Sequence, residues 1–398
     1  MPTEEFVDGT TKGLWLPGTR LPSSEFVAAG HHVFGGPVSF PLLLLKREAL
    51  VHNASVMAEY ATRHGMRLAP HGKTSMAPAL YRMQLDAGAW GITLATANQV
   101  AVARDFGLPR ILLANELLEP EPLRWLIAER ERDRDFKFLC YVDSREGVEA
   151  LRAALADVPG GRAFSVLVEL GYPGGRTGVR GIAEAVALAE AAAAVPRLTV
   201  TGVAGYEGLL PTVEDATAYL ETLREAATVI GGGRPMLVSA GGSAYFDAVA
   251  DVLATSKHPV LLRSGCYLTH DDGLYAGHAR RIGVDLRPAF ELWARVISVP
   301  EPGLALAGFG RRDAPFDSGL PSPRTLRRGD ATLDATGLRV TGVNDQHAYL
   351  DVGAGPTPVP GDLISFGISH PCTAFDKWRV LPVVDEDYRI VDLVHTYF

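Results

Sequence analysis

Between residues 66 and 264 the chain alternates short apolar runs with longer, Ala-rich segments of helical period, and it does so eight times. The runs are Arg67–Ala69, Gly91–Leu94, Ile111–Ala114, Phe136–Val142, Phe164–Leu170, Leu198–Ala204, Met236–Ser239 and Val260–Arg263. Short apolar runs bounded by turn residues read as buried strands; the segments between them, such as Ala183–Ala194 and Val213–Ile230, read as helices. Strand–helix alternation argues for a parallel sheet. An open doubly wound sheet is the competing architecture, and the count of eight favours a closed (β/α)8, TIM-type barrel. After about residue 285 the pattern changes. Leu292–Val299, Leu304–Phe309, Leu338–Val343, His347–Val352, Asp362–Ile368, Arg379–Val384 and Tyr388–Val394 read as strands joined by Gly-, Pro- and Asp-rich turns, with no long helix between them. The expected organisation is an α/β barrel over 41–284 and an all-β C-terminal domain over 285–398. The Gly- and Pro-rich residues 1–40 are expected to pack on the β domain.

Composition excludes some classes of function. The chain carries 38 basic and 46 acidic residues for a net charge of −8, and no basic run, so nucleic acid and anionic membranes are poor partners. No apolar stretch is long enough to span a bilayer, and no signal peptide is visible, so a cytoplasmic location is expected. Three cysteines, Cys140, Cys266 and Cys372, are not a disulfide framework. Cys140 lies inside an apolar run and reads as a core thiol.

Barrel active sites collect at the C-terminal ends of the strands, so the residues after each run matter most. After the first comes Pro70-His71-Gly72-Lys73-Thr74. Only six of the 38 basic residues are lysines, and Lys73 stands at a strand end among small residues. A desolvated lysine loses affinity for its proton, and a neutral amine attacks an aldehyde. A plain surface lysine is the competing reading. After the fifth run, Arg176 lies among four glycines, where backbone approaches a ligand closely and a forked cation suits a phenolate or carboxylate; a flexible turn is the alternative. After the sixth comes Tyr206-Glu207-Gly208, and after the seventh Ala240-Gly241-Gly242-Ser243 opens a helix, as anion-binding turns do. After the eighth comes Arg263-Ser264-Gly265-Cys266-Tyr267. An amine at one strand end and an anion cradle across the barrel are what a phosphorylated aldehyde needs. In the β domain, His370-Pro371-Cys372 offers an imidazole and a thiolate one residue apart, both zinc ligands, although a histidine beside a buried cysteine is the commoner meaning of that spacing alone. Asn344-Asp345-Gln346-His347 is a polar cluster that reads first as a turn.

With these residues in hand, the chain resembles the D-serine dehydratase and D-threonine aldolase family, pyridoxal-phosphate enzymes with an alanine-racemase-like barrel and a C-terminal β domain. The resemblance runs from about residue 40 to the end. It rests on Pro70–Thr74, Gly174-Gly175-Arg176-Thr177-Gly178, Tyr206-Glu207-Gly208, Ala240–Ser243, Arg263–Tyr267, Gln346-His347 and His370-Pro371-Cys372. It implies that Lys73 holds pyridoxal 5'-phosphate as a Schiff base and moves the substrate α-proton, with His347 as a second catalytic residue. Gln99, Arg176 and Tyr206 are implied as neighbours of the cofactor ring, and Gly241, Gly242 and Tyr267 as neighbours of its phosphate. His370 and Cys372 are implied to bind a divalent metal: zinc where the second ligand is Cys, manganese or magnesium where it is Asp. Cys372 therefore points to dehydration of a D-β-hydroxy amino acid such as D-serine, D-threonine or 3-hydroxyaspartate, giving a 2-oxo acid and ammonia. Retro-aldol cleavage to glycine and an aldehyde on the same scaffold is the first alternative, and a non-enzymatic cofactor carrier or regulator the second. A homodimer is implied by the same likeness. The chain departs from the family's usual residues at Ala69, at Ser75-Met76-Ala77 and at Asp345-Gln346.

Overall fold

A computed structural model describes residues 4–398. They fall into two compact units. One comprises Met57–Lys73 and Gln84–Gly265; the other comprises the described residues up to Val56, Thr74–Met83 and Cys266–Phe398.

The first unit is the barrel. Its strands are β1 (Arg67–Leu68), β2 (Ile92–Leu94), β3 (Arg110–Glu116), β4 (Lys137–Val142), β5 (Phe164–Glu169), β6 (Leu198–Ala204), β7 (Leu237–Ala240) and β8 (Val260–Leu262). All neighbours pair in parallel, and β8 returns to β1. The ring closes through Trp90 N–H donating to the Leu68 carbonyl at 2.7 Å and Thr93 N–H donating to the Pro70 carbonyl at 2.8 Å. Ala69, Leu112, Leu139, Tyr141, Leu167, Ala204 and Leu261 fill the interior, one packed core drawn from five of the strands and the residue after β1.

The outer helices follow from their sequences. Val213–Ile230 buries Ala216, Tyr219, Leu220, Leu223, Ala226 and Ala227, the three-and-four spacing of one helix face. Thr96, Ser144 and Thr212 open three helices by accepting backbone N–H bonds from Gln99, Gly147 and Asp215, which satisfies donors that a helix start otherwise leaves unpaired. At Gly202 in β6 a Cβ would stand 1.9 Å from the Leu237 carbonyl oxygen, so β6 and β7 approach as they do only because that residue is glycine.

The second unit is built on a ten-stranded sheet. Phe290–Glu301 is its long central strand, pairing antiparallel with Leu363–Gly367, Leu304–Ala307 and, from far earlier in the chain, Leu42–Lys46. Val380–Val384 adds in parallel to Leu42–Lys46. Leu14, Leu16, Phe26 and Val33 pack with Leu42, Trp293, Val380 and Ile390 in one apolar cluster, which joins the N-terminal segment to this sheet. Two features depart from the sequence reading. Ser322–Arg328 and Ala331–Asp334 form a hairpin that the pattern did not suggest, because Ala331–Asp334 is exposed throughout and carries no apolar face. A helix, Leu274–Ile282, lies between the last barrel strand and Phe290–Glu301 and was not read from the sequence. Among the described residues no helix is long and apolar enough to cross a membrane.

Candidate active site

In the barrel unit, β1 ends in a single 3-10 turn, Gly72–Thr74, that presents Lys73 to solvent. The expectation of a desolvated amine is therefore not met in the protein alone. The turn exposes the side chain, and desolvation would have to come with whatever covers it. His71, two residues earlier, is half-buried. Its Nδ1 is buried with no hydrogen-bond partner, and its pKa is held well below the ordinary value, first by burial and then by the positive charges of Lys73, Arg263 and Arg176. A neutral imidazole amid three cations marks an electropositive site for an anion such as a phosphate or phenolate. The chain also comes close here, since a Cβ at Gly265 would stand 2.5 Å from the His71 carbonyl oxygen.

Arg176 and Tyr206 are brought together as ring neighbours: the guanidinium carbon stands 4.7 Å from the Tyr206 ring centroid. Both line a small cavity with Glu169, Tyr172, Thr177 and Leu209. Glycine makes room for the tyrosine, because a Cβ at Gly242 would sit 2.8 Å from its ring and one at Gly208 2.5 Å from its hydroxyl. Gln99 lies at the start of the helix Ala97–Asp105. Its amide oxygen accepts the Ala95 N–H at 2.8 Å, so half of its polar group serves the helix start.

Gly241 and Gly242 sit where β7 ends, Gly241 with φ +95°. Their N–H groups are already engaged. The fully buried Glu207 accepts from Gly241 at 3.1 Å and from Gly242 at 2.8 Å. Arg263 ties the neighbouring strand ends together, donating to Ser239 Oγ at 2.9 Å and to the Gly205 carbonyl at 2.6 Å. A phosphate bound at this turn would take its donors from elsewhere or displace a carboxylate.

One cluster was missed in the sequence. Glu116, Asp143 and Glu169 stand at the ends of β3, β4 and β5, with one oxygen of each within 4.8 Å of the others. Three carboxylates so close do not all ionise. Burial first, then hydrogen bonding to Glu169 and the charges of Glu169 and Asp143, push Glu116 up to about 9. The signal was available, since an acidic residue closes three successive strands.

The second unit holds the metal-type pair. His370 adopts a left-handed conformation, φ +59°, uncommon for a non-glycine residue and held here by its surroundings. Its N–H donates to Asp271 Oδ2 at 2.9 Å, while Asp271 Oδ1 accepts from Gly273 at 3.0 Å and Tyr275 at 2.9 Å. The His370 ring donates from Nδ1 to Asp317 Oδ2, and Thr373 Oγ1 donates to Asp317 Oδ1 at 2.8 Å. A carboxylate that fixes one ring nitrogen leaves the other for a metal, the usual arrangement behind a ligating histidine. That imidazole bonds to Cys372 and rises to about 9, chiefly through the thiolate. Cys372 falls to about 4, through its bonds to Cys266 and His370 working against burial. An anionic sulfur beside an oriented imidazole fits a divalent cation. Asp271 and Asp317 were not found in the sequence, since each lies 50 or more positions from the histidine it serves.

His347 is exposed in the turn Asn344–His347, where its carbonyl accepts the Asn344 N–H, and none of the interactions around His370 and Cys372 includes it. The turn explains the clustering of polar residues there. Tyr267 is buried, and it belongs to the second unit rather than to the barrel. Cys140 is a fully buried core thiol on β4.

Residues 45–272 match the family described as alanine racemase, N-terminal domain, and residues 289–384 the putative serine dehydratase domain; the chain belongs to that alanine-racemase-like family. It is 26% identical over 359 residues to a D-threonine aldolase of Arthrobacter sp, covering 87% of this chain and 89% of that one. A crystal structure of D-threonine aldolase from Filomicrobium marinum has the same fold, with a TM-score of 0.76 at 24% identity over 90% of this chain and 95% of that one. A D-threo-3-hydroxyaspartate dehydratase, solved as a cysteine-to-alanine mutant in the metal-free form, superposes with a TM-score of 0.72 at 22% identity, covering 90% of this chain and 97% of that one.

Proposed function

We propose that this chain is a pyridoxal-phosphate- and metal-dependent lyase that eliminates the β-hydroxyl of a D-β-hydroxy amino acid as water, which returns on hydrolysis, so that the net products are a 2-oxo acid and ammonia. The observation that carries the reading is the group of cations at the strand ends of the barrel, where the charges of Lys73, Arg263 and Arg176 act on a neutral, half-buried His71 whose buried Nδ1 has no partner. When bound, the cofactor supplies an electron sink for the carbanion left by the α-proton. Lys73 offers a lysine amine beyond the C-terminal end of a barrel strand; it would hold the aldehyde and carry the α-proton. Arg176, whose guanidinium lies over the Tyr206 ring, would neutralise an anionic oxygen. His370 and Cys372, the first oriented by Asp317, would hold the divalent cation, a Lewis acid for a departing hydroxyl.

Retro-aldol cleavage is the second reading, and the near full-length likeness to an aldolase favours it. Product analysis on D-serine, D-threonine and 3-hydroxyaspartate separates the two: ammonia with a 2-oxo acid supports dehydration, glycine with an aldehyde supports the aldolase. Lys73→Ala is expected to abolish both the visible absorbance of the bound cofactor and turnover. Visible absorbance that survives dialysis in the Lys73→Ala variant would remove the lysine from its role.

A further inference from the structure

His370 and Cys372 leave a divalent site short of ligands. Catalytic zinc sites take three protein donors and keep a fourth position open. The second unit supplies a third donor that the short motif does not contain. Cys266, 106 positions earlier in the chain, places its Sγ 3.6 Å from Cys372 Sγ. Two thiolates about 2.3 Å from one tetrahedral ion stand about 3.8 Å apart, so the observed separation matches a shared cation. It is far longer than a disulfide, and both thiols are free.

Both sulfurs have polar neighbours. Thr74 Oγ1 lies 3.3 Å from Cys372 Sγ and 3.7 Å from Cys266 Sγ, and Tyr275 also hydrogen-bonds to Cys266. Cys266 is 5% exposed, so its sulfur faces this cluster and not solvent. Resting on the metal reading above, we infer that Cys266 is a third ligand, which makes the centre a two-sulfur, one-nitrogen site selective for zinc over manganese or magnesium. Soft thiolates favour zinc, whereas the hard ions prefer oxygen donors. The three donor atoms are not mutually within 4.8 Å, so a bound cation would require the His370 ring and the sulfurs to approach one another.

The test uses the intact protein, stripped of metal and reloaded with zinc or cobalt(II). X-ray absorption of the zinc-loaded wild type counts sulfur scatterers at about 2.3 Å without any mutation. Two sulfurs are expected, and one overturns the assignment. In the cobalt form, Cys266→Ser should halve the thiolate charge-transfer absorbance, and it should weaken zinc binding about 100-fold or more in chelator competition, beyond what loss of an outer partner costs. Cys266→Ala repeats the measurement should the serine variant misfold. Unchanged absorbance and affinity in either variant refute a ligand role for Cys266. Cys372→Ala separates the two levels: if it too leaves cobalt binding unchanged, the His-x-Cys site itself is wrong and the inference falls with it.

Discussion

Glu116→Gln should make the protein more stable in mild alkali, an unusual outcome for a residue at the mouth of a barrel. Burial and the neighbouring carboxylates of Glu169 and Asp143 raise the folded pKa of Glu116 from 4.5 to about 9. The folded state therefore keeps a proton that the unfolded chain releases. This contribution is fully present below about pH 4.5 and is lost progressively as pH rises towards 9. At pH 8 the gap of about 3.5 units sets an upper bound of about 5 kcal/mol, and partial exposure with proton sharing between two glutamates reduces it to about 2 kcal/mol. At pH 5.5 the same reasoning leaves about 0.5 kcal/mol. Glutamine keeps the shape and can still donate to Glu169, but it never ionises. Urea unfolding of wild type and variant at both pH values, with cofactor content matched, reads the difference. The variant is expected to gain about 2 kcal/mol at pH 8 and about 0.5 kcal/mol at pH 5.5. An equal effect at the two pH values, or destabilisation at pH 8, would show that Glu116 is ionised in the folded protein and refute the reasoning.

Asp317→Asn removes the carboxylate that orients the His370 ring and should weaken zinc binding by about 10- to 100-fold in chelator competition; unaltered affinity would mean that the ring needs no such partner. Asn53 is fully buried, donates to the Leu268 and Arg287 carbonyls at 2.9 and 2.7 Å and accepts the Arg287 N–H at 2.8 Å. Asn53→Ala strands three buried backbone groups and should cost about 3 kcal/mol in urea unfolding, with a loss under about 1 kcal/mol counting against the bonds as drawn.

The barrel was legible because strands buried on both faces show as continuous apolar runs, and the helix Val213–Ile230 could be read to the residue. The hairpin at 322–334 was not legible: Pro323 and Leu326 give it little apolar alternation, and its partner strand gives none. In the site, Lys73 and Arg176 stood out by type and position. Glu207 did not, since nothing in a Tyr-Glu-Gly run says that the carboxylate turns inward to hold two glycine N–H groups. Asp271, Asp317 and Cys266 escaped for a related reason. Each acts through a partner brought close only by the folded sheet, and linear spacing carries no trace of that meeting.

The strand Leu42–Lys46 has a consequence for biosynthesis. Its four leucines are wholly buried, and its antiparallel partner begins at Phe290. During translation at about 5–20 residues per second, that partner leaves the ribosome roughly 12 to 50 seconds later. Throughout that interval a greasy, hydrogen-bond-hungry ribbon is displayed on the nascent chain while the barrel is still being made. Cells producing this enzyme would need a holdase for it, and slowing elongation between codons 47 and 290 should lower the soluble yield rather than raise it.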